Sequence, residues 1–231
     1  MNKAKVTEKK VLTHDIFELY FETQEPFNFE AGQFITIKIA DSNPKPCFRA
    51  YSISSSPAKN TFELCIKEIP NGRGSSWLNT LKSGDKIEFI GPNGKFNFTS
   101  NPSKKILFIA TGTGIAPLKS IIEYQLNKEN KQQMHLYFGV RHIKDIFYKE
   151  HFEELAKTHD NFSFNLTLSQ PEDESWSGNE GRVTSLLEPL EIDPDNTEAY
   201  ICGLKAMIDS VHEILTKKGL KEEAVHHEKY D

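Results

Sequence analysis

The run Ile106–Ala110 (ILFIA) is apolar without a break, and it leads directly into the turn TGTG and then into residues repeating at helical intervals. A short apolar run with no polar alternation is what a strand requires when both of its faces are covered. After the turn, Ile115, Leu118, Ile121, Ile122 and Leu126 recur at spacings of three and four, which gathers them on one face of a helix. Strand, tight turn and helix thus follow one another in that order. Gly112 and Gly114 let the backbone turn sharply and present its N–H groups, and the helix N-terminus adds positive dipole, so a phosphate fits there. Pro117 occupies the place of the third glycine in G-x-G-x-x-G. It is compatible with a first helical turn. The missing glycine, which serves close helix-to-strand packing, implies a helix seated differently from the usual dinucleotide fold. Read alone, the same residues also suit an ordinary tight turn.

The rest of the chain divides into two halves of different pattern. From Lys5 to about Asn97, alternating segments (DIFELYFET, GQFITIKIA, RAYSIS, TFELCIKEI, DKIEFIG) are separated by Gly, Pro, Asn and Asp, with one short helix near Ser75–Leu81. Many short strands without interleaved helices predict an antiparallel β-barrel, for which a Greek key is one topology. The polar joint Thr99–Lys105 sets the boundary, giving a barrel over residues 1–99 and a second domain over 100–231. In the second domain, ILFIA, HLYFGV, FSFNLTLS and EAYICG alternate with helical stretches starting near Ile115, Asp145, Val183 and Leu204, and AVHHEKY adds a last strand. That alternation predicts a parallel α/β sheet whose ligands bind at the carboxyl ends of the strands, where TGTG, GVR, SQP and CG fall.

Composition narrows the function classes. With 231 residues, 37% hydrophobic and 26% charged, the chain suits a soluble globular protein. No apolar run approaches membrane-spanning length, and the start MNKAKVTEKK lacks a secretory apolar stretch, so the chain is expected in the cytoplasm. A net charge of −5 without a basic block argues against nucleic acid as a partner. Cys47, Cys65 and Cys202 have no metal-ligand spacing, and His226 and His227, adjacent in an expected strand, point to opposite faces; no metal is expected.

FRAYSISSSP supplies the resemblance that orders these pieces. Arg49, Tyr51 and Ser52 match the R-x-Y-[ST] flavin motif of the ferredoxin–NADP reductase superfamily, and the later elements follow in that family's order. GQF resembles the strand entering the barrel, and GRGSSWL (Gly72, Ser75) the helix start that faces the FAD pyrophosphate. GPNGKF resembles the turn closing the flavin domain, GTGIAP the nicotinamide-dinucleotide loop with its proline, and YFGVR and CG with Met207 the remaining nucleotide elements.

The resemblance implies a flavin set of Arg49, Tyr51, Ser52, Ile66, Gly74, Ser75, Ser76 and Tyr230. It implies a nicotinamide-dinucleotide set of Thr111, Gly112, Thr113, Gly114, Arg141, Gln170, Cys202, Gly203 and Met207. Ser52, Cys202 and Glu228 would stand at the chemistry: Ser52 donating to flavin N5, Cys202 beside nicotinamide C4, and Glu228 with Tyr230 near the flavin. Physically, Arg49 offers a planar fork of donors to a pyrophosphate and Tyr51 a flat ring with a hydroxyl. Each also has a plain reading, a surface arginine, a packed tyrosine, a small buried cysteine and a solvated terminal strand.

The implied reaction passes a hydride from NADH or NADPH to FAD and then electrons to a separate acceptor: a ferredoxin, a flavodoxin or an oxygenase component. Gln170 stands where many NADPH-using relatives have arginine, and Glu172, Asp173 and Glu174 follow, which leans towards NADH; Arg141, His142 and Lys144 remain candidates for meeting a phosphate. A non-catalytic flavin- or nucleotide-binding regulatory module, or an accessory subunit of a larger redox complex, is the alternative. Retention of Gly112, Gly114, Cys202 and Gly203 argues against the first.

Overall fold

The computed structural model describes residues 1–172 and 175–230 and divides into two compact units, each described by itself. The first comprises Met1–Phe98 with Lys119–Gln125, the second Thr99–Leu118 with Leu126–Asp231. The segment Lys119–Gln125 lies beyond the polar joint yet clusters with the first unit. It groups with the barrel through hydrogen bonds from Lys119 and Ser120 to the carbonyls of Ser54 and Ser55.

In the first unit, β1 (Asn2–Val11), β2 (Ile16–Thr23), β3 (Phe34–Lys38), β4 (Phe48–Ser52), β5 (Thr61–Lys67) and β6 (Lys86–Asn93) form one sheet in the order β4-β3-β6-β1-β2-β5. Every neighbouring pair is antiparallel. A bridge from Ile53, just past β4, to Leu64 on β5 brings the two ends of the sheet together and closes the barrel. The last strand returns to lie between β3 and β1, the non-sequential order of a Greek key. The segments expected as strands became β2 to β6. The first strand was not foreseen, because only Ala4 and Val6 of its N-terminal half turn inward and lysines dominate the rest. Phe21, Phe27, Phe62 and Phe89 fill the barrel, with Phe21 and Phe62 stacked at 4.9 Å and Phe27 meeting Phe89 edge-on at 5.1 Å. Truncating one such core phenylalanine to alanine typically costs about 3–5 kcal/mol. The helix α1 (Arg73–Thr80) follows β5.

In the second unit, β7 (Lys105–Thr111), β8 (Met134–Val140), β9 (Phe162–Leu168), β10 (Asn179–Glu180), β11 (Thr197–Leu204) and β12 (Val225–Tyr230) lie in the order β10-β9-β8-β7-β11-β12. All pairs are parallel. Five consecutive residues of β7, from Ile106 to Ala110, are buried, as an unbroken apolar run requires. The helices are α2 (Ile115–Asn127), α3 (Lys149–Thr158), α4 (Val183–Leu187) and α5 (Lys205–Lys217). The helix expected near Asp145 starts at Lys149 instead. Asp145 closes a short 3₁₀ turn by accepting the His142 N–H (2.9 Å), and Tyr148 at φ 58° interrupts the helical path before α3. The two-residue β10 was also not foreseen.

The chain lays down β7 to β10 in one direction and then returns to place β11 on the other side of β7. Between β7 and β11 the order reverses, and parallel sheets bind ligands in the crevice at the carboxyl ends of the strands flanking such a switch point. No helix among the described residues is long and apolar enough to cross a membrane.

Candidate functional site

At the mouth of the barrel, antiparallel pairing sets Arg49 opposite Ile37 and Tyr51 opposite Ile35, so the two motif residues share the inward face of β4. Against them lies the first turn of α1. A Cβ added to Gly74 would come within 2.8 Å of Arg49 Cγ and 2.9 Å of the Tyr51 hydroxyl, so only glycine lets the helix approach this closely. Arg49 is exposed and uses one donor on its neighbour, Nη1 to the Phe48 carbonyl at 2.9 Å; no carboxylate pairs with it among the described residues. Burial pushes the Tyr51 phenol up to about 12, against the nearby Arg49 charge, so at neutral pH it keeps its proton and can donate. Ser52 is buried at the end of the same strand.

The second arginine of this region, Arg73, shows what a committed guanidinium looks like. Its Nε and Nη2 reach the two oxygens of Asp41 at 2.5 and 2.7 Å, and Nη2 also reaches the Lys45 carbonyl at 2.6 Å. That hydrogen bond from Arg73 holds the Asp41 carboxyl below the usual carboxylate range. Sequence reading missed this pair, because nothing local relates positions 41 and 73. Arg73 is neutralised and anchors the loop beside α1; Arg49 retains donors for an anion. Ser75 spends its hydroxyl locally, accepting the Ile69 N–H (3.0 Å), and the Ser76 N–H goes to the Gly72 carbonyl (2.9 Å). What Gly74 and Ser75 offer a ligand is therefore main-chain N–H, which has no helical acceptor in a first turn. Ile66 packs its side chain into the barrel core, leaving only its main chain for a ligand. These donors fit a pyrophosphate: a cationic fork, free amides at a helix N-terminus, and a glycine where a side chain would clash.

In the second unit, Gly112–Gly114 form a 3₁₀ turn between β7 and α2. Gly112 has φ +51°, and a Cβ there would meet nothing within 4 Å, so the turn leaves a clear face above its amides. Gly114 is different. A Cβ on it would lie 2.3 Å from the Cys202 carbonyl oxygen, so the end of β11 is pressed against the turn after β7. At Gly203 a Cβ would lie 2.5 Å from Met207 Cε and 2.8 Å from Thr111 Oγ1, both side-chain atoms, while Thr113 is half-buried within the turn. The structure thus brings Thr111, Gly112, Thr113, Gly114, Cys202, Gly203 and Met207 together at the switch point.

Strand register sets Cys202 beside Glu228 and Leu204 beside Tyr230. Burial, seconded by the Glu228 charge, raises the Cys202 thiol well above its ordinary value; a hydrogen bond with Tyr230 opposes this. Cys202 is a neutral thiol and shapes the crevice. At the ends of β8 and β9, Arg141 and Gln170 are joined by Gln170 N–H donating to the Arg141 carbonyl at 2.8 Å, and both side chains are exposed. His142 turns into this loop, its Nδ1 2.8 Å from the Gln170 carbonyl and 3.3 Å from the Glu172 carboxylate, so it is not left for a phosphate. Lys144 is exposed. Asp173 and Glu174, and the terminal Asp231, lie outside the described residues.

Comparison with known proteins matches residues 3–98 to an oxidoreductase FAD-binding domain and residues 108–213 to an oxidoreductase NAD-binding domain. The chain is 33% identical to ferredoxin–NADP reductase B of Sorangium cellulosum, covering 99% of this chain and 97% of that one. It is 32% identical to the glycine betaine monooxygenase reductase subunit of Pseudomonas aeruginosa, covering 94% of this chain but 61% of that one. Among solved structures, the Amycolatopsis cytochrome P450 reductase GcoB superposes with a TM-score of 0.89 at 26% identity, over 99% of this chain and 69% of that one. The ferredoxin–NADP+ reductase of Neisseria gonorrhoeae, solved with FAD and NADP bound, shares the fold at a TM-score of 0.83 and 22% identity, over 98% of this chain and 97% of that one.

Proposed function

The chain belongs to the ferredoxin–NADP reductase superfamily and carries its FAD-binding and NAD-binding domains, and from that premise we propose that NADH is its hydride donor, FAD its resident flavin and a small electron-carrier protein its acceptor. The activity is flavin-dependent transfer of electrons from NAD(P)H to a separate acceptor. The flavin, when bound, supplies acceptance of a hydride and its release as electrons.

The chain's own residues bind and orient. Arg49 and the Gly74 and Ser75 amides hold the FAD pyrophosphate, Ser76 flanks them, and Ile66 contributes main chain. Tyr51 would present its ring and a protonated hydroxyl to the flavin, and the Ser52 hydroxyl would donate a hydrogen bond to the flavin ring. In the nucleotide half, the Gly112–Gly114 amides and the start of α2 hold the dinucleotide pyrophosphate. Thr111, Thr113, Gly203 and Met207 wall the crevice. Cys202, with Glu228 and Tyr230 behind it, gives the nicotinamide a neutral, close-fitting wall, and Arg141 and Gln170 face the ribose end. The observation that carries the reading is Arg49, exposed above Gly74 with donors to spare while its neighbour Arg73 is neutralised by Asp41.

NADH is favoured by Gln170 and by Glu172, which His142 holds in the same loop, because a 2′-phosphate needs cations there and an acidic residue suits a bare ribose. A ferredoxin or flavodoxin is favoured as acceptor over an oxygenase component, since the match to a ferredoxin–NADP reductase spans that protein's whole length while the oxygenase reductase match covers 61% of its relative. The cytoplasm is the compartment that supplies NADH. Anaerobic absorbance titration of the purified protein with NADH and with NADPH tests this reading. A yellow protein bleached faster by NADH is expected, and one bleached by neither refutes it.

A further inference from the structure

The strand that carries Ser52 runs on as Ile53–Ser56, and past β4 this segment is fastened by the side chains of a single helix. Lys119 Nζ donates to the Ser54 carbonyl (3.3 Å), Ser120 Oγ to the Ser55 carbonyl (2.6 Å), and the Ser56 N–H donates to Glu123 Oε2 (3.3 Å). From the other side, the Ser54 N–H reaches the Glu63 carbonyl (2.9 Å), and the Glu63 N–H reaches Ser55 Oγ (3.1 Å). Three consecutive residues thus have their main chain pinned by positions 119, 120 and 123 of α2.

The fastening has an ionic centre. The Lys119 ammonium lies 3.0 Å from Glu123 Oε1 and 3.2 Å from Glu63 Oε2, with side-chain exposures of 7%, 16% and 27%. Glu18, itself buried, adds a third carboxylate to the field and accepts the Tyr20 hydroxyl at 2.9 Å. Burial opposes the lysine charge, but Glu123 and Glu63 outweigh it and hold its pKa above the ordinary value. A buried ionic cluster gives little stability over well-packed apolar side chains, and it demands one geometry. Such a cluster is expensive as mere filling. Its output is the placement of the Ser54–Ser56 main chain.

That placement matters because β4 lies at one end of the sheet order, bonded along its length only to β3. At that end Ile53 is held by its bridge to Leu64 and by its N–H donating to the Gln33 carbonyl (2.9 Å), and the fastened segment carries the hold on past the strand. We propose that Lys119 is a positioning residue for the hydride-accepting step: by fixing the carbonyl two residues beyond Ser52, it aims the Ser52 hydroxyl at the flavin. The inference rests on the reading of Ser52 given above. It assigns a reason for a buried lysine in a helix that also buries Leu118, Ile121 and Ile122.

The test uses the flavin-loaded protein and the variants Ser52→Ala, Lys119→Met, Lys119→Arg and the double variant Ser52→Ala/Lys119→Met. Stopped-flow reduction at saturating NADH is expected to slow about tenfold in Lys119→Met, with KM for NADH unchanged and one FAD retained per chain. Lys119→Arg should restore most of the rate. The double variant should be no slower than Ser52→Ala alone, because Lys119 acts through Ser52. In the flavin-free protein, exchange of the Ser56 amide hydrogen should quicken in Lys119→Met. If that variant does not fold, Ser120→Ala removes the neighbouring bond without stranding a charge and should show the same pattern in weaker form. Additive losses in the double variant, no recovery with arginine, or a slowed Ser52→Ala beside unaltered Lys119→Met and Ser120→Ala would overturn the inference alone. An unaltered rate in Ser52→Ala overturns the reading of Ser52, and this inference with it.

Discussion

Gly112 and Gly114 sit two residues apart in the same turn, yet alanine at each should have very different consequences. At Gly112 the added methyl meets nothing within 4 Å, so the cost is that of holding alanine at φ +51°, about 1 kcal/mol. At Gly114 the methyl would lie 2.3 Å from the Cys202 carbonyl oxygen, 2.7 Å from its carbon and 2.8 Å from Gly203 Cα. Ordinary contact begins near 3.4 Å, and all three obstacles are main chain, so none can rotate away. The end of β11 must retreat by about 1 Å, an overpacking that costs roughly 3 kcal/mol, the upper end of the usual range, because both partners are anchored in the sheet. For a unit of this size that lowers Tm by about 10 °C, against about 3 °C for Gly112→Ala.

A displacement of that order where the nicotinamide is to be aligned should also slow flavin reduction by about 100-fold, while flavin content stays normal because the barrel is untouched. Thermal melts followed by circular dichroism, with anaerobic stopped-flow reduction by NADH, read both effects. If Gly114→Ala melts no lower than Gly112→Ala and bleaches at the native rate, β7 and β11 are not jammed together at the switch point, and the crevice assigned to the nucleotide is wrong.

Arg49→Ala should raise the FAD dissociation constant by at least tenfold, since a charge-assisted bond to phosphate is removed; flavin content equal to the native protein would refute the assignment. Cys202→Ala should retain flavin and slow its reduction by on the order of tenfold, and in the native protein Cys202 should resist alkylation at pH 8, because burial keeps the thiol protonated; rapid labelling counts against this. Gln170→Arg should raise the NADPH-to-NADH ratio of kcat/KM, and an unchanged ratio would sink the reading of that loop. The Arg73 hydrogen bond depresses the Asp41 carboxyl, so its contribution is present above the unfolded carboxylate value near pH 4 and is lost as pH falls through the lower folded value. Native protein and Asp41→Asn should therefore differ in stability at neutral pH and converge in acid, and a gap that persists at pH 2 would refute the clamp.

What the sequence made legible was local. Ile106–Ala110, the glycines at 112 and 114 and the spacing from Ile115 to Leu126 form one continuous pattern, and the fold places them as that pattern requires. R-x-Y-S and C-G were readable for the same reason. What stayed hidden depends on pairings between distant positions. Asp41 with Arg73, and Lys119 with Glu63, carry no periodic signature, and a lysine beside Leu118 reads as the rim of an amphipathic helix. The first strand escaped because a half-buried strand shows itself by alternating apolar residues, and here the inward positions are few and small. The start of α3 was displaced by a local competitor, the Asp145 side chain capping His142, which no helical periodicity reports.

The reversal of strand order at β7 also governs how the protein is made. The barrel strands pair entirely among residues emerging before Lys105, but the centre of the parallel sheet joins Lys105 to Thr197 and Ala110 to Cys202. Until β11 leaves the ribosome, β7 has one edge without a partner, and an unpaired apolar strand edge invites association with other chains. Slow synthesis between β9 and β11, or a chain ending before Thr197, therefore leaves a completed set of barrel strands attached to an adhesive half-sheet. The crevice assigned to the coenzyme therefore forms only after β11 has emerged, and until then the edge of β7 that will become its wall is open to association.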